Sequence, residues 1–396
     1  MHKKTNTLRR ASVLGLAFIC VSVSLPAEAI EPDAATTQEL LPYVVVATRT
    51  PLGLDRVSPS ISYISAEEMK LWQGRALSDV LTQEAGMVVV SSGAKGAQTS
   101  LFTRGTNSDH TAFFLDGRRL NSGFGNQYGL ERLSLDNLSS VQIQKGASSV
   151  NYGSSGIGGV VDLRSRSAFD VDGNTATLSG EAGSNDYAGG AFSTALSEER
   201  LGVSVSGSAL TTENERKNDD YKYEGVSSRI DYLLTDTLSL ELVGQYDYTE
   251  KELPGSTVAP SPFDEQNSED WLVSPGIRYA TDELTVHVFY SHSESHIDLY
   301  QEKGAYDEFG NYLGDFPVSN DSEVKSDEVN LQVDYSVSDD LLITTGMVYR
   351  NDDVTNSNLN IFNPLEDAIP YDERFEQFGI YAQALWLVTE ALELRG

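Results

Sequence analysis

Cysteine is almost absent from this sequence of 396 residues: the only one is Cys20. It lies in an N-terminal segment that we expect to be removed, so the mature protein has no cysteine to form a disulfide. Stability must then come from backbone pairing and packing. Cys20 could instead belong to a lipoprotein signal, but that signal needs a small residue before the cysteine, and Ile19 is bulky.

Long apolar runs are also scarce. One run, Val13–Val23, follows four basic residues and precedes Ala27-Glu28-Ala29, the small-x-small pattern of a signal-peptidase site. We interpret residues 1–29 as a signal peptide and residues 30–42 as a periplasmic linker. After residue 30 no window approaches the ~20 apolar residues of a membrane-spanning helix. An exported chain of this kind is periplasmic, secreted or an outer-membrane β-barrel.

Positive charge is scarce and unevenly placed. The chain has 28 Lys+Arg against 59 Asp+Glu, a net charge of −31. Residues 43–168 contain 12 basic and 10 acidic side chains, whereas residues 169–396 contain 12 and 45. A mildly basic domain therefore precedes a strongly acidic one, with a boundary near residue 168. Such a surface excludes nucleic acid as a partner.

Groups for catalysis are few. The chain has five His, and no Ser/His/Asp or Cys/His arrangement is recognisable, so we expect neither an enzyme nor a cofactor. Gly153–Gly159 is rich in glycine, but no Lys-Ser/Thr follows it, which argues against a phosphate-binding loop.

From Thr175 onward, apolar and polar residues alternate with the period of a β-strand. In Leu238–Tyr248, leucines and tyrosines share one face, while Glu241 and Asp247 lie on the other. The same alternation recurs in Leu284–Tyr290, Glu328–Ser336 and Phe378–Trp386. Averaged over such strands, the chain is mildly polar, which is typical of barrels that alternate lipid-facing and lumen-facing residues.

Connections between these strands are predicted to be alternately short and long, the rhythm of an outer-membrane barrel. The predicted short connections are 198–200, 235–237, 281–283, 337–340 and 389–391, and the predicted long ones are 211–222, 250–269, 297–325 and 351–373. This gives ten strands, with an eleventh beginning at Leu392. A ten-stranded barrel could not hold the first domain of more than a hundred residues, and a lumen filled by such a domain needs about 22 strands. We therefore expect the sequence to be a fragment whose gene continues for several hundred residues.

The first domain is predicted to be mixed α/β. Ser65 and Glu68 form a capping box at the start of a helix, and Ala76–Leu81 is a second helix, which ends before Gly86. Asp116-Gly117 lies between two apolar arms, which predicts a tight β-hairpin.

Four strings match a known pattern in order and spacing: Phe102–Thr106, Phe114–Arg118, Val141–Gly146 and Tyr152–Leu163. They resemble the plug domain of TonB-dependent outer-membrane receptors, and the nearest branch is that of the cobalamin receptors. The plug-motif residues that the resemblance implies are Arg104, Gly105, Asp116, Gly117, Arg118, Tyr152, Gly153, Gly158 and Gly159. Two strings depart from the family: Lys145-Gly146-Ala147 replaces Arg-Gly-Pro, and Asp162-Leu163 replaces Asn-Ile.

The resemblance also implies the architecture. We expect a mixed α/β plug at residues 50–168 inside a transmembrane antiparallel β-barrel, whose first part occupies residues 169–396. Residues 43–49 resemble the TonB box, which comprises Tyr43, Val44, Val45, Val46 and Ala47. An inner-membrane TonB-type protein would pair with Val44–Val46 as an added strand. The competing interpretation is that Val44–Val46 is simply the first strand of the plug.

The function that the resemblance implies is energy-coupled uptake across the outer membrane. The ligand would be large and scarce, such as cobalamin, a ferric siderophore, haem or a glycan, and the barrel would contact outer-membrane lipid. A passive porin-like or adhesin-like barrel is the alternative, although neither needs a plug or a box. A signalling receptor would need a further domain before the box, and residues 30–42 are too few for one.

Two groups of residues are candidates for metal ions. Asp219, Asp220, Asp247 and Asp264 lie in or near two predicted long loops, and clustered carboxylates suit Ca²⁺. His292, Glu294 and His296 share one face of a strand and could hold a metal. These three residues, however, have even numbers like the outward-facing residues of Leu284–Tyr290, so they continue that row on the same face of the strand. This favours a solvated rim of the barrel.

The opposite net charges of the two domains predict how the plug is held. We expect plug arginines to point toward barrel carboxylates such as Glu241 and Asp247, with Arg104 foremost and Arg118, Arg119 and Arg132 beside it. Glycines 156, 158 and 159 are expected to allow close approach of the backbone where the plug meets the barrel.

Overall fold

The computed structural model describes residues 43–44, 52–53, 60–72, 76–121, 128–132, 135, 137–153, 156–258, 260–306, 312–360, 371–389 and 392–395. The predicted signal peptide, the linker and Val45–Ala47 lie outside these residues. Within them, no helix is both long enough and apolar enough to cross a membrane.

The described residues form three helices and twenty strands. The helices are α1 (Ala66–Leu71), α2 (Leu77–Thr82) and α3 (Ser149–Tyr152). The strands of the first domain are β1 (Tyr43–Val44), β2 (Leu52–Gly53), β3 (Ile61–Ser65), β4 (Met87–Ser91), β5 (Thr99–Thr103), β6 (Thr111–Leu115), β7 (Arg118–Arg119), β8 (Leu138–Lys145) and β9 (Gly159–Ser165). Those of the second are β10 (Thr175–Ala182), β11 (Ala188–Glu198), β12 (Leu201–Thr212), β13 (Tyr221–Leu233), β14 (Leu238–Glu252), β15 (Glu265–Ala280), β16 (Leu284–Tyr306), β17 (Tyr312–Ser338), β18 (Leu341–Asn360), β19 (Tyr371–Thr389) and β20 (Leu392–Arg395).

The first domain is built on a five-stranded sheet in the order β3-β8-β9-β6-β7, in which only β6 and β9 run parallel. Helix α1 begins at the predicted capping box: Ser65 Oγ accepts from the Glu68 N–H at 3.2 Å, and the Glu68 carboxylate accepts from the Ser65 N–H at 2.9 Å. Leu77, Val80 and Leu81 of α2 pack into the core against this sheet. The mixed α/β plug that the sequence predicts is confirmed.

The hairpin at Asp116-Gly117 is also confirmed. Leu115 pairs with Arg118 across the turn, and both turn residues have left-handed backbones, with φ of 50° at Asp116 and 82° at Gly117. Two adjacent positive φ angles match the right-handed twist of the flanking strands, and Gly accepts them without strain. The turn therefore fixes the direction of the Arg118 side chain.

The second domain is an eleven-stranded antiparallel sheet, here called the barrel sheet, in which β10 to β20 follow one another in chain order. Along β14, Leu240, Leu242 and Tyr246 are exposed on one face, whereas Val243 and Asp247 are buried on the other. The inner face packs on the plug, because Val243 and Leu272 join the plug's hydrophobic core. The ten predicted strands, and the eleventh from Leu392, are present.

The lengths of the long connections were predicted incorrectly. Residues 297–325 were expected to be a loop, but β16 runs to Tyr306 and β17 begins at Tyr312, paired along almost their whole length. Residues 351–373 likewise include the end of β18, which reaches Asn360. An antiparallel ribbon satisfies its own backbone hydrogen bonds, so it continues even where its outward face changes from apolar to charged. The apolar alternation stops there, although the strand does not.

The expected glycine contacts between plug and barrel are also wrong. A Cβ on Gly158 would meet Thr106 Oγ1 at 2.3 Å, and one on Gly159 would meet the Gln144 main-chain O at 2.7 Å. Gly156 faces Tyr152 and Ser148. All of these neighbours belong to the plug, so the glycines allow close packing within it.

We expect Gly159→Ala to destabilise the plug by about 1–3 kcal/mol, because the methyl group would press on the Gln144 carbonyl of β8. The measurement is hydrogen exchange of the β8 and β9 amides. Gly379→Ala is the matched control, since a Cβ on Gly379 has nothing within 4 Å. Equal exchange rates in Gly159→Ala and the unmodified chain would contradict the predicted contact.

Candidate functional site

Arg118 connects the plug to the barrel sheet. It follows the β6–β7 turn and is 1% exposed. Its Nε donates to Ser274 Oγ at 3.0 Å, its Nη1 to the main-chain O of Asp116 at 2.8 Å, and its Nη2 to the Glu241 carboxylate. The guanidinium also lies 4.3 Å from the centroid of the Phe289 ring. This plug side chain is thus bound by three strands of the barrel sheet, β14, β15 and β16.

Glu241 is shared among several basic side chains. His287 Nε2 lies 2.8 Å from its Oε1, and Arg229 Nη2 lies 3.6 Å from its Oε2. Arg229 in turn lies 3.5 Å from the carboxylate of Asp116 and donates to Asp231 at 2.9 Å. We refer to Asp116, Arg118, Arg229, Asp231, Glu241 and His287 as the plug–barrel ionic network. Each side contributes both signs of charge, so the network specifies one position of the plug.

The energetics of this network follow from its burial. The Glu241 side chain is 10% exposed and that of Asp116 is 3% exposed. Charges in such surroundings are stable only when they are paired and hydrogen-bonded. Removing one partner of a buried pair typically costs about 3–5 kcal/mol, because it leaves an uncompensated charge. Loss of any single member should therefore weaken the attachment of the plug more than an exposed ion pair would.

The four arginines expected to reach barrel carboxylates behave differently. Arg118 does so, but the prediction for Arg104 is wrong. Arg104 has a left-handed backbone, with φ of 51°, and its exposed side chain lies beside Gly86 and Gly146 of the plug. It forms no ion pair with any described residue. The side chain of Arg132 lies outside the described residues.

Arg119 lies beside a barrel arginine. Its Nη1 donates to the Gln377 side-chain oxygen at 3.3 Å, while Arg350 donates to the main-chain O of Asn121 at 3.1 Å. Burial, together with the charge of Arg350, lowers the pKa of Arg119 to about 10, so it stays charged at neutral pH. Two cations therefore meet near the junction, balanced by the nearby carboxylates of Glu328 and Asp352.

The sequence prediction missed the reversed ion pair of Asp116 and Arg229. The net charges of the two domains predicted basic plug residues facing acidic barrel residues. In this pair the plug supplies the acid, Asp116, and the barrel sheet supplies the base, Arg229. The Asp116 carboxylate further accepts from the Ser165 N–H at 3.1 Å, so it ties the hairpin to β9 as well. The signal was present in the sequence, because Asp116 stands at a turn between two buried strands.

The remaining plug-motif residues serve the plug itself. Gly105 and Gly153 have φ of 83° and 74°, and Tyr152 packs on Phe114 with ring centroids 5.1 Å apart. The departures from the family pattern are compensated by charge: Asp162 pairs with Arg164 at 2.9 Å, and Lys145 pairs with Glu84 at 3.1 Å.

A cavity of about 1140 Å³ lies between the plug and the inner face of the barrel sheet. The barrel residues around it come from the ends of the strands that carry the long connections. Its lining is mixed in charge and includes an aromatic group; representative residues are Arg119, Tyr128, Glu131, Asp247, Lys251 and Arg350. Such a cavity is large enough for a ligand bigger than a typical drug-sized molecule.

Plug loops are tied to the barrel wall at the edge of this cavity. Asn214 Nδ2 donates to the main-chain O of Lys95 at 3.1 Å, and Tyr221 OH donates to the main-chain O of Glu131 at 3.1 Å. Gly96 lies directly under the Tyr221 ring, where a Cβ would be 2.1 Å from Cδ2. These contacts were not predicted from the sequence.

The calcium candidates are not brought together. Asp219 pairs with Lys251 Nζ at 2.6 Å, and Asp247 accepts from Tyr223 OH at 2.6 Å. No three of Asp219, Asp220, Asp247 and Asp264, all of them described, lie close enough to share an ion. His292, Glu294 and His296 are partly exposed, as expected for a rim.

The fold and the site define a class: a plugged β-barrel protein, in which a separate domain is held against the inner face of an up-and-down sheet. The family model of the TonB-dependent receptor plug domain matches residues 54–160. The vitamin B12 transporter BtuB of Photobacterium profundum is 25% identical over 353 residues, which are 86% of this chain and 54% of the relative. BtuB of Vibrio vulnificus is 31% identical over 179 residues, 45% of this chain and 29% of that protein.

Comparison of the fold with solved structures agrees with these matches. The ferripyoverdine receptor of the Pseudomonas aeruginosa outer membrane has a TM-score of 0.75 at 13% identity, with 89% of this chain and 53% of that one covered. This chain spans about half the length of the BtuB of Photobacterium profundum. Residues 54–160 thus match the plug domain of TonB-dependent receptors, and over most of its length the chain resembles the vitamin B12 transporters among them in sequence.

A double-mutant cycle tests the link between the plug and the barrel. We expect Arg118→Met and Glu241→Gln each to destabilise the attached plug by about 3–5 kcal/mol, because each leaves a buried charge unpaired. The double variant should lose less than the sum, with a coupling of about 1–3 kcal/mol. Urea unfolding of the plug, followed by hydrogen exchange in β6 and β9, measures it.

The control for this cycle is the exposed pair Arg374 and Asp353 on the barrel sheet, at 2.6 Å. Arg374→Met and Asp353→Asn should show no measurable coupling, because solvent screens exposed pairs. Additive effects of Arg118→Met and Glu241→Gln would show that the two side chains do not act on one another.

Proposed function

We propose that this chain belongs to a receptor that takes up a large, scarce ligand across the outer membrane, driven by a TonB-type inner-membrane protein. The observation that supports this most is the folded plug, held by buried charges against the inner face of the barrel sheet. Free diffusion needs an open lumen, so such a plug does not suit a passive porin. The cavity lies on the side of the long connections, where a ligand from outside would arrive.

The outward face of the barrel sheet supports location in a membrane. Its exposed apolar residues follow one another across neighbouring strands, and they include Leu242, Tyr246, Ile277, Val288 and Tyr290. A contiguous apolar surface of this kind needs an apolar environment. An antiparallel sheet with one apolar face meets that need as part of a lipid-facing barrel.

We propose cobalamin as the first ligand to test. The curated relative matched over 86% of this chain is a vitamin B12 transporter, and so is the one matched over 45% of it, whereas the likeness to the ferripyoverdine receptor concerns the fold alone. The cavity of about 1140 Å³ is lined by a mixture of charged, polar and apolar side chains. Such a lining suits a bulky ligand that carries amide and apolar groups together.

Labelled cobalamin should be taken up by receptor-deficient cells that express the gene for this chain. Uptake should stop when the proton-motive force is collapsed, while binding to the cell surface remains, because only transport needs energy. A ferric siderophore is the parallel test ligand. Uptake that persists without the proton-motive force would support a passive pore and contradict this proposal.

The coupling segment is proposed to be the TonB-box-like residues 43–49. Tyr43 and Val44 pair with Gly53 and Leu52 in a small sheet of their own, apart from the five-stranded plug sheet. This arrangement supports an extended segment beside the plug rather than a strand of its main sheet. A partner strand could then replace the short β2.

Val45→Pro should abolish uptake and leave surface binding of the ligand intact, because proline removes a backbone donor that strand addition needs. Val45→Thr is the matched control: it keeps the N–H and the β-branched shape, and should retain most of the uptake. Measuring both variants at equal surface expression separates coupling from folding. Normal uptake by Val45→Pro cells would place the coupling segment elsewhere.

A further inference from the structure

The hairpin of β16 and β17 presents a cluster of ligating groups on its outward face. His296 and Asp298 lie on β16, and Asp321 lies on β17. Ile297 and Leu299, which have the opposite parity, line the cavity on the inner face. The cluster is therefore separate from the cavity and from the plug–barrel ionic network.

The geometry of the cluster fits a metal ion. His296 Nε2 lies 3.3 Å from Asp298 Oδ2, and each of the three residues has a ligand atom within 4.8 Å of those of the other two. A tetrahedral ion with bonds of ~2.0–2.1 Å to nitrogen and oxygen places its ligand atoms about 3.3 Å apart. Asp321 Oδ1 lies 3.8 Å from the other ring nitrogen, His296 Nδ1, so a rotation of the imidazole or of the Asp321 side chain would bring three ligand atoms around one ion.

The register of the hairpin supplies an independent reason for a cation. Asp298 stands directly opposite Asp321, and His296 stands opposite Glu323. Like charges in directly opposed cross-strand positions destabilise a sheet. Lys325 is the nearby base, but it pairs with Glu323 at 3.0 Å. Among the residues that the structure describes, His296 is the one basic group paired with Asp298 and Asp321, at 3.3 Å and 3.8 Å.

We propose that His296, Asp298 and Asp321 bind a divalent transition metal of the Zn²⁺ type, which clamps β16 to β17. An imidazole with two carboxylates suits such an ion, whereas Ca²⁺ and Mg²⁺ prefer oxygen ligands alone. The ion would neutralise the opposed aspartates and hold the two strands together beyond the apolar part of the sheet. Water would occupy the remaining coordination position.

His292 provides a matched control on the same strand and face. Its Nδ1 lies 2.7 Å from Asp327, and its ring packs on Trp271 with centroids 5.0 Å apart. Among the residues that the structure describes, His292 and its carboxylate neighbours do not form a group of three that could share one ion. His292→Ala should therefore leave metal binding unchanged.

The experiment is a Zn²⁺ titration of the full chain, purified in detergent and freed of metal with a chelator, followed by calorimetry and by Co²⁺ absorption spectra. We expect one site per chain. His296→Ala and Asp321→Asn should each weaken Zn²⁺ binding by more than ~10-fold, since losing even an outer partner of a ligand has an effect of that size. His292→Ala should leave the Zn²⁺ affinity of the chain unchanged. Equal Zn²⁺ affinity in His296→Ala would overturn the proposal, and so would Ca²⁺ competing as well as Zn²⁺.

A second readout separates a metal site from a simple charge pair of protonated His296 with the aspartates. In metal-free protein, Asp321→Asn should slow hydrogen exchange around Asp298, because it removes the repulsion. In the unmodified chain, Zn²⁺ should slow the same amides, and in Asp321→Asn it should have no effect. Faster exchange in metal-free Asp321→Asn would show that Asp321 pairs with His296 and would overturn the proposal. Neither readout depends on uptake, so failure here leaves the proposed function untouched.

Discussion

The buried contact of Arg118 with Glu241 is the constraint on which the rest of the structure depends. The plug has a core of its own, and the barrel sheet pairs its own strands, so either domain could satisfy most of its groups alone. What neither can do alone is keep these charges out of water. Once the two domains meet, the Arg118 guanidinium and the Glu241 carboxylate need one another as partners, because an unpaired buried charge is costly. The relative position of the domains is thereby fixed by this ion pair together with the packing of Val243 and Leu272 against the plug core.

The two ends of the plug are held differently. Near the short connections, the plug–barrel ionic network joins the β6–β7 turn and β7 to β13, β14 and β16. At the cavity, contacts such as those of Asn214 and Tyr221 are single hydrogen bonds to main-chain oxygens. A neutral hydrogen bond contributes about 0.5–1.5 kcal/mol, less than a charged one. The contacts of Asn214 and Tyr221 are therefore individually weaker than those of the ionic network, although Arg350 adds a charged hydrogen bond to the main-chain O of Asn121 at the cavity.

The sequence predicted the features that follow from the two-residue period of a strand. It did not predict the directions in which individual arginine side chains point. Alternation along β14 placed Leu242 outward and Asp247 inward, and the turn at Asp116-Gly117 followed from residue type. The choice of arginine did not follow, because Arg104 and Arg118 both stand next to a turn. A left-handed backbone at Arg104 directs its side chain over the plug. The net charge of each domain could not reveal the reversed pair of Asp116 and Arg229, because it does not say where the charged residues of that domain lie.

The outward row of β16 explains why the predicted loop at 297–325 was wrong. The row begins with Val286, Val288 and Tyr290 and continues with His292, Glu294 and His296 at the same parity. On the proposed location of the sheet in a membrane, the change from apolar to charged residues marks where the surroundings change from lipid to water. It does not mark the end of the strand, because cross-strand hydrogen bonds form regardless of which side chains the strand carries. Hydrophobic alternation therefore measures the extent of the apolar environment, and the length of a barrel strand is set separately by its pairing.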